Sequence, residues 1–296
     1  MNLNALTFRA YLAARDLRMA SMLRRAPRVA QGVKRLVDLV LPQAPAWLQV
    51  RSGISQGLWM RLHLPDEARL WRGEHELALQ KAIRAAVGPG SVVYDIGAHA
   101  GSIALGVARL VGPSGCVVAF EADPTNVESL RENASRNRLT TSLQVVHAAV
   151  WSHREIGIPF RRSGARRSHG GVETDSQRPV LATGELINVP AIALDNFIAA
   201  GGPKPHLVKV DVEGGEYDVL RGGSNLFTKH RPLLIAEVHH RQASGQIRAW
   251  LIEHDYRNRW IIPPEEFPIC LFAWPEEFDG ADWMRRSGIV AVLNSR

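Results

Sequence analysis

The sequence predicts an α/β protein whose mostly parallel sheet is covered by helices on both faces. Three observations carry that expectation. Short, continuously apolar runs alternate with helix-period segments from residue 91 to about 260, as strands buried on both sides do. A glycine turn follows the first run and an acid closes the second. The hydrophobic share of 46% and charged share of 22% suit a globular chain long enough to bury a sizeable core.

Taken in order, residues 1–40 read as a helix with mixed faces, in which Leu6, Phe8, Leu12, Leu17 and Met19 are interrupted by arginines. Eight basic residues against two acidic ones place nearly all of the chain's +7 charge there. The basic character belongs to an arm rather than to the body, so no nucleic-acid partner is expected. A peripheral contact of the arm with a membrane surface or an acidic partner is the sharper reading, a solvated helix the plainer one. Pro42 and Pro45 end the pattern. Residues 50–71 read as short strands, and Glu74–Val87 as a helix with Leu79, Ile83 and Ala86 on one face, stopped by Gly88-Pro89-Gly90.

The runs SVVYDIG, CVVAFEA, LQVVHAAV, HLVKVDVEG and PLLIAEVHH read as five strands. Ile103, Val107 and Leu110 mark the helix after the first. After the second, Asp123 caps a helix that has Pro124 in its first turn and Val127, Leu130 and Ala134 inside. Residues 152–188 break the rhythm with Arg161, Arg162, Arg166, Arg167 and Arg178, and read as a lid or a disordered insert. Past Trp260 the chain is rich in Pro, Trp and Phe and ends in a strand-like GIVAVLN. The expected organisation is a basic helical extension over 1–48 and one domain over 49–296, its core spanning about 90–263. Cys116 and Cys270 form no metal or disulfide pattern, and neither a secretory apolar stretch nor a membrane span is visible, so a cytoplasmic setting is expected.

The chemistry gathers at the strand ends. Asp95-Ile-Gly97-Ala98-His99-Ala-Gly101 leaves the first strand; its G-x-x-x-G spacing differs from the dinucleotide fingerprint, and its acid suits a ligand with an ammonium or sulfonium group better than a diphosphate. Glu121 closes the second strand, where a carboxylate accepts bonds from ribose hydroxyls. Asp211 and Glu213 close the fourth strand, and Glu237 and His239 the fifth, so all should face one crevice. That cluster permits a divalent cation, but no spacing fixes its geometry and no metal is assigned. Candidates for removing a hydroxyl proton are His239, Asp211 and Glu237, in that order.

The runs VVYDIGAHAGSIAL, VVAFEADPTNVESLRENASRN and LVKVDVEGGEYDVLRGG, with WRGEHE upstream and ALDNF before the fourth strand, resemble the FkbM family of methyltransferases over roughly residues 55–262. The resemblance implies a Rossmann-like, seven-stranded methyltransferase fold with a reversed last strand and S-adenosyl-L-methionine as cofactor. It implies methyl transfer to a hydroxyl of a sugar, glycan or secondary metabolite, hence a small-molecule or glycan acceptor. By position, Asp95, Gly97 and Gly101, with Ala98 and His99 of the same turn, would line the methionine part, and Glu121 and Ala122 the ribose. Asp211 would lie near the reacting methyl and Glu76 at the amino-acid end. His99 stands where the family often has Asn. The segment His147-Ala148-Ala149-Val150 offers no acid or amide for adenine, leaving backbone and apolar contacts around Ala149. A noncatalytic binding module of the same fold and a nucleic-acid methyltransferase remain as alternatives; acids at four strand ends weigh against the first, and the absence of an N-P-P-[YF] motif against the second.

Overall fold

A computed structural model of the protein describes residues 45–64, 67–162, 171–172, 184–260 and 267–288. The expected N-terminal helix, most of the arginine-rich insert and, apart from Gly288, the terminal GIVAVLN run lie outside these residues.

The described chain opens with β1 (Ala46–Gln49) and β2 (Trp59–Leu62), an antiparallel pair, followed by α1 (Ala68–Arg72) and α2 (Leu77–Ala86). Alternation along β2 buries Met60 and Leu62 as the sequence suggests, but the residues after it form α1 rather than a further strand. Gly73 caps α1 in the left-handed region, so the expected helix over 74–87 begins only at Leu77.

Then come β3 (Val92–Ile96), α3 (Ala104–Val111), β4 (Cys116–Glu121), α4 (Pro124–Arg136) and β5 (Leu143–His147). After β5 follow β6 (Ala149–Val150), β7 (Glu155–Arg162), β8 (Gly171–Val172), β9 (Glu185–Ile192) and α5 (Leu194–Ala199). The second half runs through β10 (Leu207–Val210), α6 (Glu216–Arg221), α7 (Ser224–His230), β11 (Leu233–Val238), α8 (Arg241–Glu253), β12 (Tyr256–Trp260), β13 (Ile269–Pro275) and α9 (Gly280–Ser287).

Seven of these strands form one sheet in the order β12-β13-β11-β10-β3-β4-β5. All neighbours from β11 to β5 are parallel, and β13 runs antiparallel to both β11 and β12. This is the expected seven-stranded fold, but its reversed strand is Ile269–Pro275, beyond Pro263, in the Pro- and Trp-rich segment where no strand was expected. Side-chain alternation gives the sheet two apolar faces. Val93, Val117, Leu207, Ile235 and Phe272 pack under α2, α3, α4 and α9. Tyr94, Phe120, Val208, Leu234 and Leu271 pack under α5 to α8.

The expected third strand, LQVVHAAV, divides. β5 stays in the main sheet, while β6 joins a four-stranded sheet in the order β6-β9-β7-β8. The two ends of the segment read as a lid or disordered insert, 155–162 and 185–188, belong to β7 and β9, an antiparallel pair packing Ile158, Phe160, Val189 and Ala191 against Ala122 and Ala149. Its burial alternation is visible in EIGIPF, but the neighbouring arginines and glycines mask it.

Asn133 on α4 joins the outer hairpin to the main sheet. Fully buried, it accepts from Arg61 N at 2.8 Å and donates to Ala100 O at 2.9 Å, inside the glycine turn after β3. Asn133→Ala strands both groups, so unfolding in urea is expected to show a loss of about 2–4 kcal/mol. An unchanged midpoint would remove this residue from the account of how the turn is held.

Candidate active site

Strand order fixes where the site must lie. From β3 the chain winds outward through β4 and β5, then returns to place β10 on the other side of β3. The two halves diverge between β3 and β10, and ligands of open parallel sheets bind beyond the strand ends at such a point. A cleft of about 520 Å³ opens there.

The turn after β3 forms one wall. Gly97 and His99 both have positive φ, 77° and 51°. A Cβ on Gly97 would lie 1.8 Å from the carbonyl oxygen of Asp211, so glycine permits the close approach of the β3 and β10 loops. At the tip of β4, Glu121 accepts from His99 N at 2.7 Å and Asp123 N at 2.8 Å. Burial pushes its carboxyl up to about 7, against the pull of those two N–H donors.

Glu76, Gly97, Ala98, His99, Glu121, Ala122, Ala149, Asp211 and Glu237 all line this cleft, so most residues singled out in the sequence converge. Glu213 lines it as well. Glu76 sits in the left-handed region just before α2 and pairs with His75. Burial opposes ionisation of Glu76, but the His75 bond and the charge of Lys209 hold its carboxyl below the usual range.

Three expected residues do not line the cleft. Asp95 is buried beneath Lys209, whose Nζ lies 3.2 Å from its Oδ1. Strand register makes the pair direct neighbours, with Lys209 opposite Asp95. Gly101 serves packing: a Cβ there would meet Leu130 Cδ1 at 2.3 Å. His239 lies behind the lining acids. Its Nδ1 is 2.8 Å from Glu216 Oε1 and its Nε2 3.3 Å from Glu213 Oε2, with Glu237 and Asp211 at 3.7 and 3.8 Å. Burial alone would lower its pKa, but the Glu216 bond and the surrounding carboxylates push it up to about 10. At neutral pH it is an imidazolium with both ring nitrogens facing acids, which removes it from first place among the bases.

Burial raises Glu213 and Glu237 to about 7, with the charge of Asp211 adding to both. Both, like Glu121, are lining carboxyls whose pKa suits a proton acceptor near neutrality. Glu76, Asp211 and Glu237 bring ligand atoms within 4.8 Å of one another, as do Asp211, Glu213 and His239. Lys209 faces Asp211 of the first group, and the second group contains His239 itself, so each already holds one cationic side chain of the chain's own.

Lys209, Asn126, Trp151 and Phe160 also line the cleft and were not singled out as site residues. Lys209 interrupts an apolar strand, LVKV, which is the central strand of the seven-stranded sheet, and that was its visible signal. Trp151 and Phe160 come from the outer sheet, whose strands the sequence concealed.

The donor set fits a nucleoside bearing a charged amino-acid tail: a carboxylate at the second strand tip, a glycine turn between, and further acids toward β10 and β11. Among known proteins, the hexuronic acid methyltransferase AglP of Haloferax volcanii is 26% identical over 222 residues, which cover 71% of this chain and 83% of AglP. The crystal structure of methyltransferase FkbM from Methylobacillus flagellatus KT superposes with a TM-score of 0.46 at 16% identity, over 64% of this chain and 44% of that one, so this chain spans less than half its length. A precorrin-6y C5,15-methyltransferase from Geobacter metallireducens GS-15 gives a TM-score of 0.42 at 13% identity, covering 67% and 88% of the two chains. The model of the methyltransferase FkbM domain matches residues 95–258, more than half of the sequence and all of the strand tips that build the cleft. The protein is therefore a member of the FkbM family of S-adenosylmethionine-dependent methyltransferases.

Proposed function

We propose that this protein transfers a methyl group from S-adenosylmethionine to a hydroxyl oxygen of a sugar, glycan or related small metabolite. The observation that carries the reading is the convergence of Glu121, Asp211, Glu213 and Glu237, from the tips of three strands of one sheet, β4, β10 and β11, on a single cleft beside a glycine turn. Likeness to a hexuronic acid methyltransferase supports the sugar class of acceptor.

In this reading Glu121 receives the ribose hydroxyls on the lone pairs its backbone donors leave open. Gly97, Ala98 and His99 offer backbone to the amino-acid end, and Glu76 offers an ionised carboxylate to its ammonium. Ala122, Ala149 and Phe160 provide the apolar wall for adenine. The bound cofactor supplies a methyl already activated on sulfur. The chain's part is to align the acceptor oxygen, keep water away and accept one proton. Glu237 takes that proton in its ionised form; protonated His239 holds Glu213 beside it, and Asp211 is fixed by Lys209 and orients the acceptor hydroxyl.

Two measurements test this. Isothermal titration should show S-adenosylmethionine binding to the wild-type chain, weakened by about tenfold or more in Glu121→Ala, since hydrogen bonds to a charged group contribute about 1.5–3 kcal/mol. Equal affinity in the variant would remove the ribose assignment. Transfer of labelled methyl to hexuronic-acid oligosaccharides should rise with pH through about 7, as Glu237 loses its proton. Glu237→Gln should abolish that rise and lower the rate by about 10²–10⁴. A variant that keeps the same pH profile would exclude Glu237 as the base.

A further inference from the structure

We infer that Lys209 is a positioning residue for the cofactor cleft, tying the glycine turn after β3 to Asp211 at the tip of β10. The inference rests on the cofactor reading above and extends the role of Lys209 from fixing Asp211 to holding the glycine turn as well.

The side chain is almost wholly buried, and three oxygens surround its Nζ: Asp95 Oδ1 at 3.2 Å, Gly97 O at 3.2 Å and Asp211 Oδ2 at 3.4 Å. A lysine ammonium has three N–H donors and no acceptor. Lys209 donates to Gly97 O and makes ion-pair contacts with the two carboxylates, so every close neighbour of the ammonium is an oxygen of the chain itself, although the residue borders the cleft. It therefore acts through other groups. Burial would strip its charge, but Asp95, Asp211 and Glu76 more than reverse this and keep it an ammonium.

An ion pair with Asp95 alone would be an expensive way to fill the sheet, because apolar side chains of similar volume usually serve as well. The other two contacts distinguish Lys209 from such a filler. Gly97 and Asp211 belong to different halves of the fold, and both line the cleft. Backbone from the two loops meets closely at Gly97, where a single Cβ would overlap Asp211 O. Lys209 bridges this contact from below, fixing the Gly97 carbonyl and one oxygen of Asp211. Asp95 is its counter-charge, which explains why an acid at the end of the first strand is buried rather than displayed.

The test separates a tether from a stabilising ion pair. Lys209→Met should lower both thermal stability and S-adenosylmethionine affinity, the latter by at least about tenfold. Lys209→Met combined with Asp95→Asn removes the stranded carboxylate and should recover most of the melting temperature, yet its affinity should stay at least about tenfold below wild type. Asp95→Asn alone should bind within about threefold of wild type, since its carboxyl does not reach the cleft. If Lys209→Met does not fold, the double variant and Asp95→Asn carry the comparison. The inference is overturned if the double variant regains wild-type affinity along with its stability, or if Asp95→Asn alone loses as much affinity as the double. A wild-type chain that binds no S-adenosylmethionine would instead sink the cofactor reading itself, and this inference with it.

Discussion

Where β3 and β10 lie side by side, the sheet reverses its winding, and the loops that leave the two strand ends touch at Gly97 and Asp211 before leading to opposite halves of the sheet. That divergence creates the cleft, and it also leaves the two loops without a shared ladder beyond Asp211 N, which still bonds Ile96 O at 3.0 Å. Lys209 supplies the connection there. Removing one partner of a buried ion pair costs about 3–5 kcal/mol, so the junction tolerates loss of the ammonium poorly. The rest of the site inherits its geometry from this line: Glu121 sits one strand further out on β4, and Glu237 one strand further on β11, at distances set by strand spacing.

The same constraint explains the balance of charge. Five acids other than Asp95 crowd the region of β10 and β11, namely Glu76, Asp211, Glu213, Glu216 and Glu237. Two buried cations hold them in place from behind. Lys209 serves Asp211 on one side, and His239 is clasped by Glu216 and Glu213 on the other. Glu216 has no exposed surface and also accepts from Gly214 N, so the start of α6 and the imidazolium share one carboxylate. The histidine is thereby held between acids, while burial leaves the carboxyls of Glu213 and Glu237 near neutrality.

Much of this was legible in the sequence, and what was not had physical reasons. The parallel core was plain because VVYDI, CVVAFE and LLIAEV are uninterrupted apolar runs buried on both faces, each closed by chemistry-bearing residues. Period-2 alternation also placed Glu237 and His239 on one side of their strand. What sequence could not give was depth. Asp95 and Glu121 look alike as strand-end acids, but lateral register sets Asp95 against Lys209 whereas Glu121 ends at the cleft. His239 looked like a free base because its partners come from α6 and from the β10 loop, and only the tertiary fold assembles them. The reversed strand was missed because ICLFAWP lies among prolines and aromatics that read as irregular chain.

The outer sheet shows how one cleft can combine a fixed half with an adjustable one. One side is made of turns whose backbone is locked between parallel strands, so a side chain at Gly97 would collide with Asp211 O. The facing wall comes from β7 and β9, which pair with each other and touch the main body through small side chains, Ala122 and Ala149. Arg162, near the end of β7, anchors that wall to the start of α4 through Asp123 and Thr125. Residues on β7 and β9 that point into the cleft, such as Phe160, can therefore change in size or polarity while the register of the seven-stranded sheet stays intact. A fold built this way holds the glycine turn rigid and leaves the apolar wall around Phe160 to a separately hydrogen-bonded sheet.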